Sequence, residues 1–493
     1  MTNSGTIVAV RQPYIDGKFR IGDGPPLQVE NPATEEAVAE VETCTAGQTE
    51  EAILAARRSF DDGIWARAGR NERVAAIEHL AEFFESRYGE LAATLTAEAG
   101  ATASMIDNAQ VGLPIAHIRQ AADLYLSLPE QEHTPRPLSD VIAANRVAAS
   151  IIRYEPIGVV SAISAYNFPL WINMWKVIPA LLTGNSVVLR PSPFTPLSAL
   201  VFGEAAEAAG LPPGVLNVVV EGDLQGAQLM TTHPAVDMVT FTGSTGVGRQ
   251  IMHQASDTLK RVMLELGGKS VQLYLPDAVD RAAAGCMGVF AAHAGQGCVL
   301  PTRMLVPEEA KAEVVAKAAE MSRTLKIGDP ADPGVLVPPL ISAAQRAKCE
   351  SYVAAAVEHG ATVAAGGRRP PDIGRGYFFE PTVLDVPDNS NPAAQDEIFG
   401  PVLSVLGYRD VDHAVAMAND TVYGLSGQVY GADLRRATEV AERIRSGAVT
   451  VNGGTSGAYA SSGGYKQSGL GRERGVEGVR SFQQIKHLSI GNF

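Results

Sequence analysis

The chain has 493 residues, 46% hydrophobic and 19% charged, enough to bury a large core and inconsistent with a disordered tail. Lys and Arg number 40 against 54 Asp and Glu, a net charge of −14, and no basic run is long enough to neutralise a phosphate backbone, which argues against nucleic acid as a partner. The four cysteines (Cys44, Cys286, Cys298 and Cys349) form no C-x-x-C pair, which argues against a disulfide framework or a Cys-rich zinc site and for a reducing compartment.

At roughly 150 residues per domain the length allows two to four domains. The opening MTNSGTIVAV has neither the basic run nor the apolar core of a secretory signal, so the expected compartment is the cytoplasm. Residues 14–19 read as a hairpin turning at Asp16-Gly17. Asn71 is placed to cap one long helix whose apolar residues Val74, Ile77, Leu80, Phe84, Leu91 and Leu95 keep a helical period up to Gly100. Residues 129–137 are rich in proline and polar side chains and precede an extended run at 147–152. Together they look like an excursion from the domain toward a partner.

Residues 156–175 hold no charge, but Gly158, Ser161, Ser164, Asn167, Pro169 and Asn173 would leave polar, broken backbone in lipid. The stretch reads as a buried strand running into a loop. Strands are expected at 158–164, 186–190, 215–220, 238–241, 261–265 and 271–275, alternating with helical stretches. One of those helices has Thr195 as N-cap, Pro196 at its first position, Gly210 past its end and Pro212 beyond. Alternation implies parallel pairing through right-handed crossovers, hence a Rossmann-like sheet. A helix near 282–292, a strand near 303–306 and a helix over 308–325 suggest a second α/β domain reaching about residue 450.

Several short segments could carry chemistry. Phe241-Thr242-Gly243-Ser244-Thr245-Gly246 follows an apolar strand and opens a helix, an arrangement that brings backbone N–H groups to a phosphate or serves as an ordinary glycine-rich turn. A strict G-x-G-x-x-G is absent. Gly267-Gly268-Lys269-Ser270 mimics the end of a Walker A loop, but the required first glycine is Met263. Cys298, in Gly295-Gln296-Gly297-Cys298, is a nucleophile if its thiol is activated and an inert buried side chain otherwise. Glu265 ends a strand where open α/β sheets bind ligands, and would otherwise pair with a lysine. The Asn167 amide follows a strand and could donate to an oxyanion or close the loop. None of the nine histidines has metal-ligand spacing, so no metal is expected.

In their order and spacing these segments resemble the aldehyde dehydrogenase superfamily. Asn167-Phe168-Pro169, Phe241-Thr242-Gly243-Ser244, Glu265-Leu266-Gly267-Gly268-Lys269, Gly295-Gln296-Gly297-Cys298, Glu397-Ile398-Phe399-Gly400-Pro401 and Gly464-Tyr465-Lys466-Gln467-Ser468-Gly469 carry the resemblance, which runs from about Tyr14 to His487. It implies Cys298 as the nucleophile toward an aldehyde, Asn167 and the Cys298 N–H as oxyanion donors, and Glu265 as the base that hydrolyses a thioester. Lys176 and Glu473 match positions proposed to relay protons. For NAD it implies Glu397 at the nicotinamide ribose, Phe399 and Leu266 by the nicotinamide, Gly243 and Ser244 by the pyrophosphate, and backbone contacts from Ile163 and Ser164.

The chain departs from the family pattern in two places. Relatives often carry Lys-Pro-Ser-Glu, its glutamate on the adenosine ribose, where this chain has Arg190-Pro191-Ser192-Pro193; Arg190 then stands ready for a phosphate or a ribose, and NADP stays open beside NAD. Ser462 replaces a common aromatic in the late loop. Phe168, Trp171, Met174, Trp175, Val299 and Tyr459 are candidate substrate-pocket residues, suiting an uncharged aldehyde, though each could equally be core.

The expected architecture is α/β. A Rossmann-like cofactor domain spans 1–128 and 149–264, a catalytic domain 265–456, and a small β oligomerisation element 129–148 and 475–493. The resemblance implies homodimers or homotetramers. A non-redox thiol esterase or acyltransferase using Cys298 and Glu265, and a catalytically silent dinucleotide-binding protein, are the alternatives.

Overall fold

The computed structural model describes residues 6–134 and 148–491. The middle of the 129–148 excursion, the first residues of the chain and the last two of the tail therefore lie outside the described residues. Five parallel strands form the centre of the first sheet, in the spatial order Arg261–Glu265, Met238–Thr242, Val159–Ile163, Ser186–Arg190, Leu216–Val218. All five are short, and Val159–Ile163, Ser186–Arg190 and Met238–Thr242, rich in β-branched residues, are buried along their whole length, as a sheet covered on both faces requires. The strand order reverses between Val159–Ile163 and Met238–Thr242.

The N-terminal hairpin forms as expected. Asp16 (φ 52°) and Gly17 (φ 75°) both take the left-handed conformation that a two-residue turn with native twist needs, and Tyr14 adds antiparallel to Val218. Val271–Tyr274 ends the sequence run of strands but opens the second sheet. There it pairs in parallel with Arg303–Pro307 on one side and Ser426–Tyr430 on the other. Gln483–Gly491, Ala148–Pro156 and Gln131–His133 make a separate antiparallel sheet. The helix Gly475–Ser481 packs against the helices Gly112–Ser127 and Pro169–Leu182 beside the first sheet.

Four local expectations are corrected. The long helix is two, Arg70–Ser86 and Tyr88–Ala99, broken at Arg87, whose guanidinium pairs with Glu90 and Glu204. Asn71 lies in the first turn, and the N-cap, Gly69, has no side chain to bond. Thr195 does not cap the helix Leu197–Ala208. Its first N–H groups instead donate to the buried carboxylate of Glu98, Leu197 at 2.8 Å and Ser198 at 3.0 Å. The uncharged stretch does not end in a loop but continues into the helix Pro169–Leu182, buried on nearly every side. No helix among the described residues is long and apolar enough to cross a membrane.

Candidate active site

At a point where strand order reverses, the loops leaving two neighbouring strands diverge and open a crevice at their carboxyl ends. A cavity of about 440 Å³ occupies that crevice. Its wall brings together Cys298, Asn167 and Glu265 with Ile163, Ser164, Arg190, Ser192, Gly243, Ser244, Leu266, Glu397 and Phe399. A larger cavity of about 710 Å³, walled by Arg67, Arg70, Arg73 and Arg153, has no cysteine, serine or histidine in its wall, so volume alone does not mark the site.

Cys298 follows a contorted turn. His293, Ala294 and Gly295 all have positive φ (53°, 50° and 74°), a conformation costing a non-glycine residue roughly 1–2 kcal/mol. Gln296 holds the turn, its amide donating to the His293 carbonyl (3.1 Å) and the Pro339 carbonyl (3.3 Å) while its oxygen accepts from Ile341 N–H (2.9 Å). Burial pushes the Cys298 thiol up to about 12, with Glu397 and Glu265 adding to the effect. The thiol is therefore neutral at pH 7 and needs a proton acceptor.

Glu265 can supply one once its own carboxyl is ionised. It closes its strand with Oε1 buried, without a hydrogen-bond partner and packed near Gly463. Burial first, then the Glu473 charge, raise its pKa to about 8 against the opposing pull of Lys176 and Arg472. Lys176 and Glu473 lie outside the cavity wall and form a buried ion pair of 2.7 Å, with Lys176 also donating to Thr240 (3.0 Å). They act on Glu265 through space. Ser462 sits in the backbone bridge that holds Glu473, with N–H to carbonyl bonds of 2.7 and 2.8 Å in the two directions.

Asn167 is nearly fully buried. One N–H of its side-chain amide donates to the Gln296 backbone carbonyl (2.9 Å), and the Asn167 backbone carbonyl accepts from the Gln110 amide (2.8 Å). An amide has two N–H donors, so one is left for an oxyanion. Glu397 accepts from Gly268 N–H at 3.0 Å. A Cβ at 267 would stand 2.4 Å from its Oε2, and one at 268 would stand 2.4 Å from the Cys298 carbonyl, so both glycines are required for the approach of the strand ends to the two loops.

At the other end of the cavity, Ser244 caps the helix Thr245–Ser256, accepting from Val247 N–H at 3.4 Å. The helix N-terminus there offers N–H groups and partial positive charge to an anion. Ile163, Ser164 and Arg190 meet through the Ser164 N–H bond to the Arg190 carbonyl (3.1 Å) and the strand register. Arg190 is not standing free: its Nε donates to Glu221 at 2.7 Å, both side chains being buried.

The candidate substrate residues separate. Phe168, Trp171 and Trp175 form an aromatic row, with centroid spacings of 6.4 and 5.0 Å. Met174 lies in the hydrophobic core, while Val299 and Tyr459 are exposed. Gln345 and Lys348 also line the cavity, and no motif in the sequence marks them. They stand three apart on the helix Ala343–Glu358, and Gln345 donates to the carbonyls of Ile398 (2.9 Å) and Phe399 (2.7 Å), fixing the loop that carries Glu397. In sequence, two polar residues at that spacing look like any solvated helix face.

The family model described as the aldehyde dehydrogenase family matches residues 20–488. The chain belongs to the aldehyde dehydrogenase family. This aldehyde dehydrogenase is 35% identical to the putative aldehyde dehydrogenase DhaS of Bacillus subtilis over 97% of its own length and 95% of the relative's. A mutant of aldehyde dehydrogenase C from Pseudomonas syringae, solved with NAD+ and octanal, superposes with a TM-score of 0.92 at 38% identity, covering 99% of this chain and 98% of that one. A Mycobacterium tuberculosis aldehyde dehydrogenase solved with NAD+ gives 0.92 at 38% identity, covering 98% of each chain. The Rossmann-like fold expected for this aldehyde dehydrogenase agrees with those structures.

Proposed function

We propose that this aldehyde dehydrogenase oxidises an uncharged aldehyde to the carboxylic acid with NAD+, through a thiohemiacetal and then a thioester on Cys298. The observation that carries the reading is the convergence of a nucleophile, an amide donor and a high-pKa carboxylate on one cavity that also receives a helix N-terminus. The residues present fit a dinucleotide: Ser164 Oγ and Thr242 Oγ1 at the wall are buried without partners, and Glu397 is held in place by Gly268 N–H. Glu397, Phe399 and Leu266 would hold the nicotinamide end, Gly243 and Ser244 the pyrophosphate, and Ile163, Arg190 and Ser192 the adenosine side. Bound there, the nicotinamide supplies the hydride acceptor.

The protein's own part is nucleophilic and electrostatic. Cys298 gives its proton to Glu265 and its sulfur adds to the carbonyl carbon, while the free Asn167 N–H and the Cys298 N–H receive the developing oxyanion. Loss of hydride from that adduct leaves the thioester. Once Glu265 has passed that proton on toward the Lys176–Glu473 pair, its carboxylate takes a proton from water as the water oxygen attacks the acyl carbon, and the tetrahedral adduct releases the acid and the Cys298 thiolate. Lys176 and Glu473 hold the charge around Glu265 and offer a route for its proton.

The aromatic row of Phe168, Trp171 and Trp175, which follows Asn167 in the chain but is not part of the cavity wall, supports an apolar aldehyde, the class to which the octanal of the Pseudomonas structure belongs. The domain limits proposed are 1–128 with 149–264, 265–456, and 129–148 with 475–493. The three-stranded sheet, whose middle strand Ala148–Pro156 runs past the 148/149 limit, is read as the element that joins copies into dimers or tetramers. Four free cysteines, three of them buried, support a reducing, cytoplasmic setting, and the net charge of −14 argues against nucleic acid. The test is a panel of aliphatic and aromatic aldehydes with NAD+, expected to give reduced nicotinamide and acid in equal amounts. Ester hydrolysis without any nicotinamide reduction would favour the thiol esterase alternative.

A further inference from the structure

The end of the second parallel strand is where dinucleotide folds recognise the adenosine ribose: a carboxylate there suits the 2′-hydroxyl of NAD+, whereas an arginine suits the 2′-phosphate of NADP+. This chain ends that strand with Arg190, and Pro193 stands where a carboxylate would be. By that rule alone it would select NADP+. The structure adds a group from the next strand's loop. Arg190 Nε donates to Glu221 Oε1 at 2.7 Å, with side-chain exposures of 9% and 2%, and Arg190 Nη2 reaches the Asp223 carbonyl at 3.4 Å.

Glu221 is itself fixed. Its carboxylate faces the backbone N–H groups of Gly226 and Ala227 at the start of the helix Gln225–Thr232, which favour its charged form, and a Cβ at 226 would stand 2.4 Å from its Oε2. Arg190 lines the cavity, while Glu221 is not part of the wall. Glu221 therefore meets a ligand only through the arginine. A phosphate approaching Arg190 would have to compete with a carboxylate already bonded to it and faced by two N–H donors, and would be repelled by that carboxylate's charge.

We propose that Glu221 sets the choice of NAD+ over NADP+ by neutralising and orienting Arg190. Glu221 is a positioning residue in this scheme, and Arg190 is the group that touches the adenosine ribose. The inference rests on the reading that this cavity holds a dinucleotide.

Calorimetric titration of the purified protein with 5′-AMP and with adenosine 2′,5′-bisphosphate tests it without any turnover, and KM for NAD+ and NADP+ provides a second readout. The native protein is expected to bind AMP at least as tightly as the bisphosphate. Glu221→Gln keeps the shape and an acceptor facing Gly226 and Ala227 but removes the charge. It should shift the ratio of affinities toward the bisphosphate by at least about tenfold, the factor one charge-assisted hydrogen bond supplies. Adding Arg190→Gln should remove the gain.

A purely structural role would weaken both ligands together and leave the ratio unmoved, which would overturn the proposal. If Glu221→Gln does not fold, Glu221→Asp, which withdraws the carboxylate by one methylene, is read by the same ratio, and an unchanged value again overturns it. Native protein that binds neither AMP nor NAD+ defeats the dinucleotide reading and this inference together. Binding of AMP and NAD+ with an unmoved ratio defeats the inference alone.

Discussion

The two ends of the cavity are built by opposite means. At the Arg190 end, although the Ser164 and Thr242 hydroxyls have no partner, the charged and dipolar groups are already matched: Arg190 with Glu221, Ser244 with Val247 N–H. At the Cys298 end, they are left wanting. Glu265 Oε1 is buried without a partner, Cys298 is a neutral thiol in a low-dielectric pocket, and the turn before it holds two non-glycine residues at positive φ. A binding end gains from groups fixed before the ligand arrives, because less ordering is left to be done on association. A reacting end gains from groups whose charged forms are disfavoured until the reaction calls on them.

This contrast predicts that substitutions at the Cys298 end will cost activity without costing stability. Cys298→Ala should lower kcat for aldehyde oxidation by at least about 10⁴-fold, the scale on which loss of a nucleophile is felt, with the melting temperature and NAD+ affinity near native. A variant that retained half its activity would remove the nucleophile from the scheme.

Glu265→Gln comes next, with a loss of about 10²–10⁴-fold in steady-state rate. The native acid limb, rising with pH to a midpoint near 8 as the carboxyl ionises, should vanish from the profile of the variant. Stability should move the other way. The carboxyl's folded pKa lies above its unfolded value, so between the two the unfolded chain holds fewer protons and stability falls as pH rises toward about 8. Glutamine carries no such term, and the variant should melt higher than the native protein at pH 9. A lower melting temperature there would break the contrast between the two ends.

Much of the fold was legible because it is local. The five parallel strands are short runs, three of them rich in β-branched residues, and the Asp16-Gly17 turn needs only the backbone freedom of those two residues. What escaped was set at long range. The helix at Leu197 is capped by Glu98, about a hundred residues away, although Thr195 has the better local chemistry for a cap. Pro169–Leu182 is buried nearly all round and so shows no polar face to give it a helical period.

The site divides in the same way. Cys298, Glu265 and Asn167 stand in ordered motifs and could be named from sequence. Glu221, Gln345 and Lys348 reach the site, or reach Arg190, only through tertiary contact. Arg190 itself shows the limit of reading one residue at a time, because what its guanidinium can offer a ligand depends on a partner in another loop.

Asn167→Ala is expected to lower kcat by about 10²–10³-fold, as loss of one oxyanion donor does, with little change in KM. Part of that loss could be imitated by disturbance of the Cys298 turn, since Asn167 also donates to the Gln296 carbonyl. The rate of Cys298 alkylation by iodoacetamide separates the two effects. It should stay near native if the amide acts on the oxyanion, and change if it acts on the turn.

The smallest effect belongs to the opposite end. Ser244→Ala removes the side-chain acceptor that caps Thr245–Ser256, and loss of such a cap costs about 1 kcal/mol. The helix N-terminus is also the proposed pyrophosphate seat, so one substitution should lower both the melting temperature and the NAD+ affinity, the latter by about fivefold for that energy. The two changes are coupled because the same first turn supplies both the fold's N–H groups and the ligand's. Ser244→Asp separates the contributions: its carboxylate keeps a cap and favours the helix dipole, so stability should return or rise. Its negative charge beside a pyrophosphate should weaken NAD+ binding further. Recovery of stability and affinity together in Ser244→Asp would mean that the dinucleotide's phosphates lie elsewhere, and that this end of the cavity is ordered for the fold and not for the ligand.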